Sequence, residues 1–303
     1  MPEITVVVPV YNTQDYLQEC LESLECQTMK DIEIIIVNDC TPDHAMEIAE
    51  LFVKRDNRFR IINHEYNKSL GGARNTGIRS AKGSYIMFLD SDDYYQPDTI
   101  ESLWKKAKET NAEMVFGRMN WVKDGIQCPV EYIEEKINRY KSFHLDNLRN
   151  INSSYWYIGQ ACNRVYKREL LYKNNILFPE GIYWEDVFFS TQVWHYSNNI
   201  GYVDQVVYIR RERTDINNPS IIQNYDMKKY LDRDIVMEQI YEFVSTVYKN
   251  NEDDKKIARN LIYRVFQTTK RILPLANEDV KEDVYKWFTK YEENYLLAMS
   301  KLK

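Results

Sequence analysis

The chain's 303 residues are 44% apolar and 28% charged, which suits one large folded domain with an appendage, or two domains. A net charge of -6 argues against a broad nucleic-acid footprint. Five cysteines, odd in number and without a CxxC pair, and four histidines without metal-site spacing argue against a disulfide or zinc framework.

The thiols therefore read as free and the compartment as reducing. The N-terminus MPEITVVVPVYN has no basic leading region and too short an apolar run for a signal peptide. No stretch approaches ~20 apolar residues, the length a spanning helix needs. The expected location is the cytoplasm, with peripheral contact at the inner face of the membrane left open. Tyrosine is abundant, at 24 residues; its flat face and polar tip suit sugar-lined clefts as well as half-buried packing.

Taken in chain order, Ile4 to Val10 is a β-branched run that predicts a strand buried on both faces. Asn12 or Thr13 then caps a helix with Tyr16, Leu17, Cys20, Leu21 and Leu24 on one stripe. Ile32 to Val37 predicts a second buried strand, and Thr41-Pro42-Asp43 opens a helix through about Lys54. Phe59 to Asn63 is a short third strand. Gly71 to Ala81 reads as a helix behind a glycine pair, and Tyr85 to Leu89 as the fourth strand. This alternation indicates βαβ units and a parallel sheet. Ligands of such sheets bind beyond the carboxyl ends of the strands. The residues there are Tyr11-Asn12, Asn38-Asp39, Asn63-His64 and Asp90-Ser91-Asp92-Asp93.

After Pro97 comes a helix to about Thr110, then a strand at Met114 to Phe116 and a hairpin around Asp124-Gly125. Residues 151 to 200 are rich in aromatics, and Val203 to Ile209 reads as a late strand. From about Asn224 the helical period persists to the end, broken near 250–253 and 274–277.

Three stretches carry chemistry, each beside a plainer reading. Asp90-Ser91-Asp92-Asp93 ends a buried strand on three acids; carboxylates one residue apart suit Mg²⁺ or Mn²⁺, and equally suit a turn with helix capping. Gly71-Gly72-Ala73-Arg74-Asn75-Thr76-Gly77 offers close backbone approach and free N–H groups to a phosphate at a helix start, with Arg74 as a fork of donors. It is neither a P-loop nor GxGxxG, and its alternative is a glycine loop with a solvated arginine. Glu185-Asp186 lies among Tyr183, Trp184, Phe188 and Phe189. Acids in apolar company can have raised pKa values useful for proton abstraction, or can simply be the acidic first turn of a helix.

In this order the stretches resemble the family 2 glycosyltransferases of GT-A fold. The likeness includes Val8-Pro9-Val10-Tyr11-Asn12, Val37-Asn38-Asp39, the glycine stretch, Asp90-Ser91-Asp92-Asp93, Cys162-Asn163-Arg164-Val165-Tyr166-Lys167-Arg168, Phe178-Pro179-Glu180-Gly181 and Glu185-Asp186, over residues 3 to 220. Within the family the look is of bacterial enzymes that build capsule, O-antigen or other surface polysaccharides. The resemblance implies a Rossmann-like, mostly parallel sheet flanked by helices. Residues 1–105 would form the nucleotide-sugar half, 106–222 the acceptor and catalytic half, and 223–303 an all-helical extension.

It further implies an inverting hexosyl- or N-acetylhexosaminyl-transferase using a UDP-sugar donor and an oligosaccharide or lipid-linked glycan acceptor. Pro9 and Tyr11 would line the base and Asp39 would accept the uracil N–H. Arg74, Asp90 and Ser91 would lie by the nucleotide, Asp90 and Asp92 would hold Mn²⁺ or Mg²⁺, and Asp186 would be the catalytic base. Trp156, Tyr157, Tyr183, Trp184 and Glu185 are expected near the acceptor, with core packing as the alternative for the aromatics.

The chain departs from the family in two places. Relatives commonly carry a histidine after the late strand, usable as a further metal ligand, whereas Tyr208-Ile209-Arg210-Arg211-Glu212-Arg213 has none. Either Glu212 substitutes, or the arginines hold the diphosphate directly, or the metal is held more weakly. Asp39-Cys40-Thr41-Pro42-Asp43 also replaces a more usual Asp-Gly-Ser.

Lys255 to Leu273 is a basic amphipathic helix, read as an ordinary packed helix, with an anionic membrane surface or a homodimer contact as the other uses. The rival functions are a nucleotidyltransferase or NTPase, and a non-catalytic nucleotide-sugar-binding subunit of a glycan assembly complex.

Overall fold

The computed structural model describes residues 1–123, 126–128, 160–214, 219–250 and 252–302. The first half alternates β1 (Ile4–Val10), α1 (Gln14–Glu25), β2 (Ile32–Asn38), α2 (Ala45–Arg55), β3 (Phe59–Asn63), α3 (Ser69–Ser80), β4 (Tyr85–Phe88) and α4 (Thr99–Thr110). There follow β5 (Met114–Lys123), β6 (Ile126–Cys128), β7 (Arg164–Lys167), α5 (Arg168–Lys173), α6 (Glu185–Tyr196) and β8 (Ile200–Arg211). Three long helices close the chain: α7 (Met227–Val247), α8 (Glu252–Ile272) and α9 (Lys281–Lys301).

Strands run in the order β3-β2-β1-β4-β7-β5-β6, with β8 also on β5. Pairings β1–β2, β2–β3, β1–β4 and β5–β8 are parallel, and β7 is antiparallel to β4 and β5. The mixed, mostly parallel sheet is thus the expected one. All seven residues of β1 are buried, because helices cover both faces of a parallel sheet. Leu17, Cys20, Leu21 and Leu24 form the buried stripe of α1, at helical spacing.

Pro9 has a consequence for the central crevice. Successive residues of a strand turn their backbone groups to alternate neighbours. Val7 O accepts from Leu89 N at 3.0 Å on the β4 side, and Val10 O accepts from Asp39 N at 3.1 Å on the β2 side. Pro9 therefore faces β4, where it has no N–H to give. Pairing of β1 with β4 ends at Val7–Phe88, and the strands part beyond it. Sequence order reverses about β1, so this is the switch point where α/β sheets bind ligands.

Several boundaries differ from expectation. The α3 helix begins at Ser69, so Gly71 and Gly72 lie inside it rather than ahead of it. A Cβ on Gly71 would meet Pro179 O at 2.2 Å, and one on Gly77 would meet Val7 Cγ1 at 2.2 Å. The glycines are required by close packing, and Gly71 and Gly72 sit within the first turn of α3. The β5–β6 ladder registers Lys123 with Ile126; the expected turn residues 124 and 125, and Trp156 and Tyr157, lie outside the described residues.

The helical extension has its own core. Val236, Ile240 and Val244 of α7 pack with Ala258, Ile262 and Val265 of α8 and Tyr291 of α9. The basic α8 helix is thus a packed helix. Among the described residues no helix is long and apolar enough to cross a membrane. The α6 helix joins the two cores: Phe189 and Val193 belong to the main one and Val187 to the helical one. Gly77→Ala should lower the unfolding free energy by about 1–3 kcal/mol through overpacking on β1, measured by urea denaturation; an unchanged midpoint would show that α3 is free to move off the strand.

Candidate active site

The carboxyl ends of β1 to β4 form one rim. After β1, Tyr11 is 50% exposed and Asn12 takes a left-handed φ of 55°. Pro9 itself is buried in the strand, so of the two residues expected to line a base only Tyr11 presents its ring openly. After β2, Asp39 is buried. Its Oδ1 accepts from Lys68 N at 2.7 Å and lies 2.7 Å from His64 Nδ1. His64 Nε2 is 2.8 Å from Thr76 Oγ1. A neutral ring satisfies both contacts by donating to Asp39 and accepting from Thr76. His64, which sequence places only after the third strand and without metal-site spacing, is thus the side chain that orients Asp39. The only signal for it was its place directly after β3. Cys40 holds φ at 57° where a glycine would be unstrained, so the unusual loop keeps a left-handed turn.

The four residues Asp90 to Asp93 after β4 divide into two pairs. Asp90 and Asp92 are partly exposed, with 30% and 16% of their side chains accessible. Ser91 and Asp93 are buried. Ser91 Oγ accepts from Thr13 Oγ1 at 3.0 Å, so it braces the loop rather than facing the nucleotide as expected. Asp93 accepts from Arg211 N at 2.7 Å and from the Tyr208 hydroxyl. Asp92 Oδ2 accepts from Arg213 Nε at 2.8 Å. Burial, and then the Asp90 charge, raise the Asp92 carboxyl above its ordinary range against the pull of Arg213.

Arg74, expected beside the nucleotide, is buried. Its Nη2 donates to Asp90 Oδ1 and its Nη1 to Glu185 Oε1, both at 2.7 Å. The guanidinium lies over the Phe178 ring at 5.1 Å. Asn75, one residue on, ties down the same loop: its Nδ2 donates to Phe178 O at 2.8 Å and to Glu180 Oε1 at 2.9 Å. Glu185 is committed to Arg74 and is buried, so it is not placed to bind an acceptor.

Asp186 is half-buried at the start of α6. Burial, and then the Glu185 charge, push its carboxyl up to about 7, opposed by Arg74 and Arg233. The turn before it is pinned by α7. Tyr183 N donates to Asp232 Oδ2 at 2.8 Å and Trp184 Nε1 to Lys229 O at 3.0 Å. Arg233 stacks 3.8 Å from the centre of the Trp184 ring. Trp184 therefore packs as a left-handed helix cap, φ 66°, and the packing alternative holds for it. Tyr183 stays partly exposed.

Among the described residues no three His, Cys, Asp or Glu side chains cluster as a metal cage. Asp90 and Asp92 supply two partly exposed carboxylates. That set fits Mg²⁺ or Mn²⁺, which take few protein oxygens and complete their shell with water and phosphate.

The profile of glycosyl transferase family 2 matches residues 5–174. The uncharacterized glycosyltransferase EpsJ of Bacillus subtilis is 34% identical over 236 residues, which is 77% of this chain and 66%, just under two thirds, of EpsJ. Residues 1–349 of S. aureus TarS, in complex with UDP-GlcNAc, align with a TM-score of 0.64 at 21% identity, covering 99% of this chain and 91% of that one. The mannosyltransferase PcManGT of Pyrobaculum calidifontis, in complex with GDP-Man and Mn²⁺, gives 0.58 at 15% identity, covering 99% and 84%. This likeness of fold includes the C-terminal helices, which lay outside the resemblance in sequence.

The Asp186 shift has a signed consequence. The native state keeps a proton on Asp186 up to about pH 7, while the unfolded chain releases it near 3.8. Between those values the unfolded chain binds fewer protons, so stability falls as pH rises. Asp186→Asn removes the cost, and its melting temperature should exceed that of the wild type by a margin that grows from about pH 4 to about pH 8. A margin constant across that range would contradict the shift.

Proposed function

The chain belongs to glycosyl transferase family 2, and we propose that it moves a sugar from a UDP-sugar to a glycan acceptor with inversion at the anomeric carbon. The observation that carries this reading is Arg74, which joins the rim acid Asp90 on one nitrogen to the Glu185-Asp186 pair on another. A donor-binding edge and a candidate base are thereby held side by side.

Each residue has a task in this reading. Asp39, fixed by His64 and the Lys68 amide, accepts the uracil N–H, and Tyr11 covers the base. Asp90 and Asp92 hold Mg²⁺ or Mn²⁺, which supplies electrostatic neutralisation of the diphosphate. Asp186 takes the proton of the acceptor hydroxyl. That oxygen forms its bond to the anomeric carbon on the face opposite the diphosphate, whose oxygen leaves with the electron pair of the broken bond. One such displacement inverts the centre. A base is most effective with a pKa near the working pH, and the position of Asp186 at about 7 meets that. Among the described residues, Tyr183, partly exposed beside the pair, is an aromatic available to an acceptor sugar. The UDP-GlcNAc complex of TarS and the Mn²⁺ complex of PcManGT support the donor class and the ion.

Calorimetric titration of UDP and GDP in Mn²⁺ tests the donor site. UDP should bind more tightly than GDP, and Asp39→Ala should weaken UDP by about tenfold, the worth of a hydrogen bond to a charged group, while leaving GDP unchanged. An equal loss for both nucleotides would remove Asp39 from base recognition. Asp186→Asn should keep the UDP affinity and lose roughly 10²–10⁴-fold in transfer to a cell-envelope glycan fraction; turnover near that of the wild type would exclude it as the base.

A further inference from the structure

Among the described residues, Arg74, Arg211 and Arg213 at the donor rim each carry an acid already. Arg74 lies on Asp90 and Glu185, Arg211 on Glu19, and Arg213 on Asp92. An entering diphosphate brings further negative charge into a loop where Asp90, Asp92 and Asp93 already repel one another. Beyond the charge of a divalent cation, an arginine of this set can serve it only by changing partners.

The three differ in what they bridge. Arg74 is gripped from two sides by carboxylates and keeps only 4% of its side chain accessible. Arg211 gives its backbone N–H to Asp93 Oδ1 and its Nε to Asp92 O, which ties β8 to the acid loop. Arg213 lies past the end of β8. Its Nε donates to Asp92 Oδ2 at 2.8 Å and its Nη1 reaches Asn12 O at 3.5 Å. It therefore spans the loop after β4 and the loop after β1, across the place where Pro9 lets those strands part. Its carbonyl is fixed by Gln223 Nε2 at 2.8 Å, and its guanidinium lies 5.0 Å from the centre of the Tyr16 ring. The backbone is anchored, and the head group, 8% accessible, rests on an aromatic face beside the one rim acid it pairs with.

We propose that Arg213 is an exchangeable counter-ion of the donor site: it neutralises Asp92 while the crevice is empty and turns onto the donor diphosphate when Asp92 takes up a divalent cation. This rests on the donor reading given above. Charge makes the exchange favourable. Asp92 trades a single positive charge for a double one, and the released guanidinium meets phosphate oxygens that its planar fork matches. The empty site is spared an unpaired, partly buried carboxylate. Arg213 then competes with the free ion and cooperates with the nucleotide, so removing it moves the two affinities in opposite directions.

Manganese binding followed by electron paramagnetic resonance tests this, using the whole chain, Arg213→Gln and Arg213→Lys, each with and without UDP. Without UDP, Arg213→Gln should bind Mn²⁺ about tenfold more tightly than the wild type, as expected when a competing ion pair on a partly buried carboxylate is removed. With Mn²⁺ saturating, its UDP affinity should fall about tenfold, for loss of a charge-assisted contact. Arg213→Lys keeps the charge without the fork and should lie between the two on both measures. It carries the test if the glutamine variant melts below the assay temperature. A Mn²⁺ affinity unchanged or weakened in Arg213→Gln, or a UDP affinity unchanged, overturns the exchange while the donor reading stands. A wild type that takes up no UDP in Mn²⁺ overturns both.

Discussion

The buried guanidinium of Arg74 is the contact on which the site depends. A charge taken out of water is tolerated only with a matched partner, and removing one partner leaves the other stranded at a cost of about 3–5 kcal/mol. Arg74 meets that demand twice, with Asp90 after β4 and Glu185 at the start of α6. Three elements distant in sequence are thereby fixed at one point. The glycines of α3 are part of the same constraint. Gly71 lets the helix approach Pro179 and Gly77 lets it approach Val7, and Asn75 holds Phe178 beneath the guanidinium. A bulkier α3 would carry Arg74 away from both acids.

The rim follows from that arrangement and from one proline. Where Pro9 withholds an N–H, β1 and β4 separate, and the polar ends of the strands face a crevice. Its acids are sorted by burial. Asp93 is locked to Tyr208 and Arg211 and serves the fold. Asp90 and Asp92 keep accessible oxygens. On the far side, the C-terminal helices contribute to the site. Lys229, Asp232 and Arg233 of α7 hold the Tyr183-Trp184 turn, and that turn sets the position of Asp186. The helical extension is thus a support for the acid pair as well as a separate core.

Much of this was legible in the residues themselves. Apolar runs and helical stripes located the parallel strands and the covering helices, because burial on both faces leaves an unbroken β-branched signature. The rim was legible because chemistry in such sheets collects at one edge. The breaks in the tail fell where the helices end. Partnership was not legible. The packing role of the glycine stretch shows only once Pro179 and Val7 are placed against it. Ser91 resembles a ligand-facing residue until Thr13 is found beneath it. Glu185 and Trp184 resemble acceptor contacts until Arg74 and Arg233 are placed against them. Each of these contacts joins residues far apart in the chain, and no local pattern encodes it.

The central claim is that Arg74 holds a donor edge and a candidate base together around one crevice. A crystal structure of the chain soaked with UDP and Mn²⁺ tests it most directly. The account predicts uracil against Asp39, the diphosphate over Asp90 and Asp92, and Arg74 still bonded to both Asp90 and Glu185. Nucleotide bound away from this rim, or Arg74 withdrawn from between the two acids, would contradict it.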